Sequence, residues 1–540
     1  MTLGKPLYGS WLIALAIALS ACSSVRPDFF KQPSKALPPA TDTPTTRYVE
    51  AETDAHPGES GMRLLTLNAN ALMSRIALAD HARHSIDVQY YIFHNDATGR
   101  LMAQRLLAAA DRGVRVRILL DDINIAGKDR ELAALDAHPH IEVRLFNPFY
   151  TRSGSLLLQG FQFLLDGRRL NRRMHNKSFI VDNQIAIIGG RNIGDEYFSA
   201  GDAINFRDLD VTMIGPVVAA TSRSFDAYWN SKAAYPVAAF RTTHADARDL
   251  DRLRRTLKID ARAFAKSDYA QNLFNELPNG ASGARSGEWF WGPAELLADQ
   301  PEKVDVERDR LSFRIGPQLK EILDAAQSEL LLISPYFIPG DSGTQFLAGL
   351  VRDGVSVKVL TNSLASNDEA VVHSGYAKYR RALLEAGVDL WELRPSEGGE
   401  SQTTTFGKSS GVSLHAKAMV VDRRLTFIGS LNIDPRSALL NTEMGVIVDS
   451  PALAAAVVDY FDKVTSPENS YHVILSPPDA GSGGPTASRS QSSGAMSSRR
   501  IIWVTEKNGR NVRYTHEPDV SAWKRLQSRL FGLLPIEGLL

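Results

Sequence analysis

The hydrophobic pattern of the chain repeats one strand–helix–strand unit. In the first copy, apolar segments 85–93 and 113–120 are typical of buried strands, and segment 99–112 between them has leucines at helical spacing. Two strands that are joined through a helix pair in parallel by a right-handed crossover. The second copy has the same order, with strands at 330–338 and 354–360 and a helix at 343–352.

The two copies also agree in the distance from the second strand to a later histidine. From Gly113 to His175 is 62 residues, and from Gly354 to His415 is 61 residues. Two unrelated βαβ units would explain the strands but not this shared spacing. We therefore predict an α/β fold of two sandwich halves, each a mixed sheet flanked by helices, packed with pseudo-two-fold symmetry around one active site.

Composition then divides the chain into segments around these halves. The sequence predicts a signal peptide at 1–22, an extended proline-rich tether at 23–58, half 1 at 59–239, a polar junction of helices and loops at 240–302, half 2 at 303–475, a disordered low-complexity insertion at 476–500, and a C-terminal segment at 501–540 that packs on the body. Within the last segment we expect a strand at 501–504, an amphipathic helix at 521–530, and an apolar end at 533–540 that packs back or touches membrane.

The N-terminus has the features of a targeting segment. Its apolar stretch, Trp11 to Leu19, is shorter than the roughly 20 residues of a membrane span and fits a signal peptide. The following Leu19-Ser20-Ala21-Cys22 resembles the lipobox of bacterial lipoproteins, which implies cleavage before Cys22 and acylation of its thiol. Cys22 is the only cysteine, so the chain has no internal disulfide. An incidental cysteine in a signal peptide or short anchor is the alternative.

Overall charge argues against a nucleic-acid partner. Lys plus Arg and Asp plus Glu number 61 each, so the net charge is zero. A nucleic-acid-binding protein usually has a basic excess, although a local basic site stays possible. The hydrophobic fraction of 44% is typical of a folded globular protein.

The candidate chemistry lies in two matching motifs, one in each half. Both read His-x-Lys, four residues, Asp, six residues, Gly-(Gly/Ser)-x-Asn. Residues i and i+2 of a strand share a face, so each His and its Lys should point into one space. Each Asp begins a hairpin turn, and the returning strand brings the Asn beside the imidazole. The motif residues are His175, Lys177, Asp182 and Asn192 in half 1, and His415, Lys417, Asp422 and Asn432 in half 2.

This set of side chains suits phosphodiester transfer without a metal or another cofactor. One neutral His can attack phosphorus and form a phosphohistidine, while the other, protonated, donates to the leaving alcohol. The lysines and amides can hold the non-bridging oxygens. Metal binding is a weaker alternative, because each His lies beside a lysine ammonium. A catalytically dead pair is also weaker, because neither motif has lost a member.

The paired motifs resemble those of the phospholipase D superfamily, known as HKD motifs, and the resemblance covers about residues 60 to 475. It implies that an acidic residue some 25 to 33 positions after each His orients that His. Asp208 and Glu443 occupy the matching positions. The resemblance also favours His175, in the N-terminal motif, as the nucleophile.

Two features indicate a lipid substrate: the lipid anchor implied at Cys22, which would hold the site at a bilayer, and an apolar stretch beside a basic cluster. The apolar stretch 156–165, followed by four arginines, resembles an interfacial element that meets anionic head groups, although a buried core helix beside a solvated charge run would look the same. Segments 168–198 and 373–380 and the terminal Leu-Pro-Ile-Glu are similar to C-type cardiolipin synthases, which implies transfer of a phosphatidyl group onto phosphatidylglycerol. The lipobox and the low-complexity insertion depart from that subfamily and leave the acceptor open. The predicted substrate-binding residues are Arg172, Arg173, His373, Tyr376 and Arg380.

The sequence thus predicts a phosphatidyltransferase that acts on membrane phospholipids, with phosphatidylethanolamine and phosphatidylglycerol as expected substrates. The predicted location is the bacterial cell envelope, on the periplasmic side, with a lipid anchor at the membrane surface. A hydrolytic phospholipase D, an envelope-anchored phosphodiesterase or nuclease, and a non-catalytic lipid-binding protein are the alternatives. A nuclease would show salt-sensitive DNA binding, and a non-catalytic protein would tolerate loss of either His.

Overall fold

The structure is a computed structural model that describes residues 31–125, 128–149, 156–201, 204–240, 245–276, 287–306, 310–367, 369–395, 411–477 and 499–534. Cys22, most of the low-complexity insertion and the last six residues lie outside the described residues. The expectations for acylation, for disorder in the insertion and for the packing of 535–540 therefore stay predictions. No helix among the described residues is long and apolar enough to cross a membrane.

Both halves are built from strands and helices. The helices are α1 (Pro44–Thr53), α2 (Asn68–His81), α3 (Ala97–Asp111), α4 (Asp129–Asp136), α5 (Leu156–Leu170), α6 (Pro216–Asn230), α7 (Ala247–Ala265), α8 (Asp268–Glu276), α9 (Gly316–Asp324), α10 (Gly340–Arg352), α11 (Ala370–Ala386), α12 (Pro435–Leu439), α13 (Pro451–Val464) and α14 (Ala522–Gly532). The strands are β1 (Ser60–Leu65), β2 (Ser85–Tyr90), β3 (Arg115–Asp121), β4 (Ile141–Phe146), β5 (Ser178–Val181), β6 (Ile185–Gly189), β7 (Ile204–Arg207), β8 (Asp210–Ile214), β9 (Ala234–Pro236), β10 (Phe290–Gly292), β11 (Ala294–Ala298), β12 (Glu329–Ile333), β13 (Ser356–Asn362), β14 (Asp389–Leu393), β15 (Gly411–Leu414), β16 (Ala418–Val421), β17 (Leu425–Gly429), β18 (Met444–Asp449), β19 (Ser470–Leu475), β20 (Ile501–Lys507) and β21 (Arg510–Tyr514).

Among the described residues, the strands form two large mixed sheets, of nine and ten strands, whose central strands have the same order. The first has the order β10-β1-β8-β6-β5-β2-β3-β4-β9, and the second has the order β11-β18-β17-β16-β12-β13-β14-β19-β20-β21. In each, the repeated strand–helix–strand unit supplies the parallel pairs, β2 with β3 and β12 with β13. Strands β5 and β16, which come after the histidines, pair antiparallel to β2 and β12. The predicted fold class, two α/β halves with mixed sheets, is confirmed.

Local sequence explains the matching units. Helix α3 begins at the side chain of Asp96, which accepts from the Gly99 N–H, and buries Leu106 and Leu107. Gly113 and Gly354 come after the helices of the two units with φ of 91° and 92°, a left-handed conformation that favours glycine. Between the sheets, apolar residues of both halves share one buried cluster, which includes Ile180 and Ile188 of half 1 and Leu331, Val420 and Ile428 of half 2.

The predicted free tether is wrong for residues 31–53. Lys31 Nζ donates to the carbonyls of Ser231 and Ala234, and the N–H of Ala36 donates to the carboxylate of Asp226. The buried guanidiniums of Arg117 and Arg144 donate to the carbonyls of Ser34 and Gln32 at 3.1 and 2.6 Å. Proline-rich chain has free carbonyls that can satisfy such buried donors. The segment therefore lies bound to half 1 and ends in helix α1.

The junction between the halves also differs from the prediction. Helices α7 and α8 form there as expected, but β10 and β11 are strands rather than loops. β10 pairs with β1 at the edge of the first sheet, and β11 pairs with β18 at the edge of the second. Only Pro293 separates them. Edge strands satisfy their backbone groups by pairing along one side, so a polar segment can form them without a strong apolar pattern.

Candidate active site

Each motif histidine lies on backbone that pairs with the other half of the molecule. The His175 N–H donates to the Thr442 carbonyl at 2.9 Å, and the His415 N–H donates to the Arg207 carbonyl at 2.7 Å. Strands β15 and β7, one from each half, pair in parallel just before His415 and Asp208. The two motifs therefore meet at the interface between the halves, in extended segments that immediately precede β5 and β16.

This pairing exchanges the acidic partners of the histidines. His175 Nδ1 lies 2.9 Å from Glu443 Oε2, and His415 Nδ1 lies 2.6 Å from Asp208 Oδ2. The expectation that each acid orients the histidine of its own half is thus wrong, because the residue before each acid binds the other half's histidine backbone. A carboxylate accepts, so each Nδ1 carries a proton and each Nε2 is left for chemistry.

Burial and clustered cations set the charges of the site. His175 and His415 are both 7% exposed. Burial lowers the pKa of His175 to about 4, because the attraction of Glu443 offsets only part of the burial. Burial, Lys417, Lys177 and His175 together lower the pKa of His415 well below its usual range. The charges of both motifs thus act on one another, and both imidazoles are neutral before a substrate binds.

The two carboxylates respond differently to the same burial. Burial raises the pKa of Asp208, although Lys417 and Arg191 oppose the change. Burial would also raise the pKa of Glu443, but its pairing with the His175 imidazole, together with Lys177 and Ser430, lowers it overall. Glu443 is therefore the more firmly ionised partner.

The motif lysines are held beside the histidines by the main chain. Lys177 Nζ donates to the His175 carbonyl at 2.6 Å, and Lys417 Nζ donates to the His415 carbonyl. Lys177 also lies over the ring of Tyr91, 5.4 Å from its centroid. Burial, with some help from Lys417, lowers the pKa of Lys177 to about 7 although Glu443 opposes it. An added anion would therefore be attracted strongly to this buried position.

The two motif asparagines have different surroundings. Asn192 Oδ1 accepts from the Ile92 N–H at 3.1 Å, and its amide donates to the Tyr197 hydroxyl at 2.8 Å. Asn432 Oδ1 is buried and has no hydrogen-bond partner among the described residues. A buried motif oxygen without a hydrogen-bond partner is consistent with a site that a ligand completes.

Aromatic rings that sequence comparison of the halves missed enclose both imidazoles. Tyr91 meets His175 edge-on with centroids 5.0 Å apart, and Tyr197 meets His415 edge-on at 5.2 Å. Phe206 lies 4.9 Å from His415. Tyr91 has a counterpart in Tyr336, the seventh residue of segment 330–338, but Tyr197 and Phe206 have no aromatic counterpart in the other half, so the repeat contained no signal for these two.

The two motifs differ at the residue that lies beside the acid: it is Gly190 next to Asp208 and Ser430 next to Glu443. A Cβ atom on Gly190 would lie 2.2 Å from Asp208 Oδ1, so no side chain fits there. At the equivalent position of half 2, Ser430 Oγ donates to Glu443 Oε2 at 2.5 Å. The main-chain N–H of Glu443 also donates to the buried carboxylate of Asp299 at 2.7 Å. Ser430 and Asp299, which the motif comparison did not single out, thus position Glu443.

Comparison with known proteins shows the family to which the chain belongs. A family profile described as "Cardiolipin synthase, PLD-like domain" matches residues 76–229 and 319–465, which is more than half of the chain and includes both motifs. The chain belongs to this family of the phospholipase D superfamily. It is 40% identical over 495 residues to "Cardiolipin synthase C" of Escherichia coli (strain K12), a match that covers 90% of this chain and 97% of that protein. It is 33% identical over 516 residues to an uncharacterized protein of Helicobacter pylori, covering 94% and 95% of the two chains.

A solved structure agrees with the fold. The phosphatidylserine synthase of Haemophilus influenzae matches with a TM-score of 0.52 and 14% identity, over 78% of this chain and 91% of that chain. The resemblance to the phospholipase D superfamily, and to cardiolipin synthases within it, is confirmed.

In this family member, the motif aspartates lie away from the chemistry. Asp182 accepts from the N–H groups of Arg83, His84 and Ser85 at 2.7 to 3.2 Å. Asp422 accepts in the same way from residues 327–329. Each lies at the far end of a strand from its histidine, roughly 20 Å away along the extended chain. Asp182 and Asp422, which the sequence grouped with the candidate catalytic residues of the two motifs, therefore support the turns that they begin and do not reach the histidines.

The predicted substrate-binding arginines of half 1 are structural. Arg172 is 4% exposed and donates to the carbonyls of Val304 and Val306 at 2.9 and 2.6 Å. Arg173 is 1% exposed, donates to the Asn147 carbonyl at 2.7 Å, and lies 3.3 Å from the Asp121 carboxylate. These contacts hold the segment before His175 rather than present cations to a ligand.

The predicted acceptor pocket of half 2 is also not open. His373, Tyr376 and Arg380 are at most 3% exposed. Arg380 donates to Glu517 at 2.7 Å and lies 3.0 Å from Glu392, which also accepts from the Tyr376 hydroxyl at 3.1 Å. The three residues lie at i, i+3 and i+7 of α11, and that face packs against the C-terminal segment instead of a cleft.

Proposed function

We propose that this chain transfers a phosphatidyl group from one phospholipid to another through a phosphohistidine on His175. The observation that carries the proposal is the exchange of carboxylates between the halves, which assembles two His–carboxylate pairs and two lysines in one buried site. Membership of the cardiolipin synthase family, with a 40% identical relative named "Cardiolipin synthase C", supports a phosphatidyltransferase.

In the first step, Nε2 of His175 attacks phosphorus and the bond from phosphorus to the head-group oxygen breaks. Protonated His415 gives its Nε2 proton to that oxygen, so the head group leaves as a neutral alcohol. In the second step, His415 takes the proton of the acceptor hydroxyl, whose oxygen attacks phosphorus as the phosphorus–nitrogen bond breaks. Lys177 and Lys417 hold the non-bridging oxygens throughout.

The electrostatics of the site support these roles. Neutral His175 is the form that can act as a nucleophile, and the ionised Glu443 stabilises the positive charge that develops on its ring. Burial and the neighbouring cations keep the pKa of His415 low before a substrate binds. A bound phosphodiester anion raises it, since an opposite charge nearby favours the protonated imidazole. His415 therefore gains its proton when the substrate is in place.

Purified enzyme with mixed bilayers of phosphatidylethanolamine and phosphatidylglycerol is expected to form cardiolipin and free ethanolamine, with little phosphatidic acid. A well-oriented acceptor can reach an effective molarity of roughly 10⁵ M or more, and it then outcompetes water for the phosphoenzyme. Mass spectrometry of the lipids measures both products. Phosphatidic acid as the main product at high phosphatidylglycerol would make the protein a hydrolytic phospholipase D. Cleavage of DNA without either lipid product would make it a nuclease.

We also propose that Cys22 is acylated and holds the enzyme at a membrane of the bacterial envelope, facing the periplasm. Since residues 31–53 lie bound to half 1, only residues 23–30 remain between the anchor and the body. Eight residues reach at most roughly 30 Å even when fully extended. An acylated Cys22 would thus keep the body close to the lipid surface that contains the proposed substrates.

Replacing Cys22 with serine is expected to prevent labelling by a radioactive fatty acid and to leave the signal peptide uncleaved at this position. The reason is that the thiol is the only group in the chain that can be acylated in this way. Growth with labelled palmitate, followed by immunoprecipitation, measures the label, with Ser24→Ala as the matched control. Wild-type protein without label would contradict the anchor.

A further inference from the structure

Helix α14, in the C-terminal segment, has an apolar face that the described part of the protein leaves uncovered. Trp523, Leu526, Leu530 and Leu533 are 64%, 46%, 52% and 82% exposed. Their spacing of three and four residues places them on one side of the helix, and Ser528 on the opposite side is 6% exposed. Single exposed leucines are common on proteins, but a continuous apolar stripe of this kind marks a contact surface.

The sides of the same helix are positively charged. Arg529 borders the apolar face, and Lys524 and Arg525 lie farther round the helix towards the body, where Lys524 bonds the Asn367 carbonyl. The segment 521–534 has no acidic residue. Tryptophan and leucine on one face with lysine and arginine beside them characterise helices that lie in the interface of an anionic bilayer. An acidic protein partner could pair with the cations, but it would not require a continuous apolar stripe. The stripe therefore favours a bilayer.

The helix lies at the end of half 2 where the chain passes from His415 into strand β16. Its Lys524 Nζ donates to the Asn367 carbonyl at 3.3 Å. Asn367 lies shortly after β13, and Asn362 at the end of β13 exchanges two hydrogen bonds, at 2.8 and 2.9 Å, with Leu414, the residue before His415. The apolar face is therefore carried on the catalytic end of its half.

The helix is also attached firmly to the body. It packs on α11, and Glu517, just before it in the chain, accepts from Arg380 and lies 3.4 Å from His373. Burial would raise the pKa of Glu517, but Arg380 and His373 lower it strongly, so the ion pair persists across the physiological range. The buried residues that the sequence assigned to an acceptor pocket thus anchor α14.

We propose that α14 lies in the head-group region of an anionic phospholipid bilayer, with its apolar face among the acyl chains, and holds the end of half 2 that carries His415 against the membrane. The proposal deepens the proposed function, because it states how a transferase reaches both of its lipid substrates in one leaflet. It assigns to α14 an orienting role that a flexible anchor at Cys22 alone cannot perform.

A fluorescent probe on α14 tests the proposal directly. The Cys22→Ser chain has no cysteine, so Leu530→Cys can be labelled alone with an environment-sensitive fluorophore. Vesicles of phosphatidylethanolamine and phosphatidylglycerol should increase its emission severalfold and shift it to the blue. The same label at Asn511→Cys, an exposed position on β21, should change little. No change at 530, or an equal change at 511, would overturn the proposal.

A paired substitution tests the consequence for catalysis. Leu526→Asp with Leu530→Asp should weaken vesicle binding roughly tenfold or more, since it removes two buried leucines from the contact. Turnover on vesicles should fall by a similar factor, while turnover on a dispersed short-chain phospholipid stays unchanged. Leu311→Asp, which alters another leucine that is 59% exposed, is the matched control.

The outcomes separate the two proposals. Absence of product from both vesicles and dispersed lipid would contradict the transferase function, yet the fluorescence test of α14 would stand by itself. Unchanged vesicle turnover in the double variant would overturn the role of α14. Light scattering that shows a dimer in the parent chain and a monomer in the variant, with no response to vesicles, would instead make the face a contact between two copies.

Discussion

Replacing either His175 or His415 with alanine is expected to lower kcat by on the order of 10³-fold or more, and the double replacement should lower it little further. The histidines act in sequence on one phosphorus atom, so the loss of either one stops the same turnover. The crossed pairs with Glu443 and Asp208 place both imidazoles in one buried site, which is the reason to expect this non-additivity. Steady-state lipid transfer by the three variants measures it.

An exposed histidine provides the control for these variants. His81 lies on the surface of α2 and bonds only a carbonyl of its own helix, so His81→Ala should retain full activity. Thermal unfolding should show that all variants remain folded. Substantial transfer by either single active-site variant would contradict a shared site, and independent losses that multiply in the double variant would indicate two separate sites.

Replacing the two carboxylates is expected to slow different steps, because each acts on the histidine of the other half. With a phosphatidyl ester of nitrophenol, the leaving group needs no proton. Glu443→Gln should then slow the burst of nitrophenolate roughly 100-fold or more, since it removes the group that orients the nucleophile His175. Asp208→Asn should leave the burst intact and slow only the breakdown of the phosphoenzyme. Rapid mixing measures the burst, and mass spectrometry locates the phosphate.

The accumulated phosphohistidine in Asp208→Asn should map to His175. If the acids instead served the histidines of their own halves, the effects of the two variants would be reversed. A phosphate found on His415 would exchange the proposed roles of the two histidines. Asp182→Asn is the control: it loses a carboxylate that binds backbone N–H groups far from the site, so Tm should fall while the burst per folded enzyme persists.

The wrong predictions share a cause. His373, Tyr376 and Arg380 stand on one face of α11, and the sequence pattern is the same whether that face lines a pocket or receives another segment. The structure places Glu517 on it, 137 residues after Arg380. Likewise, the proline-rich residues 31–53 look like a free tether until the buried Arg117 and Arg144 are found to need their carbonyls. The amino-acid composition of a segment does not predict which buried charged side chains will bind it.

What the sequence by itself determined is local. The repeated strand–helix–strand units and the Asp-led hairpins at 182 and 422 depend on residues a few positions apart, and both form as predicted. Gly113 and Gly354, which the pattern placed at the start of strands, instead end the preceding helices with positive φ. The two motifs also identified the histidines and lysines that meet in the site. Only the tertiary structure decided which acid serves which histidine, because parallel pairing of β7 with β15 joins residues about 200 positions apart. A repeated pattern states what each half contains, but the partner across the interface depends on how the two sheets pack.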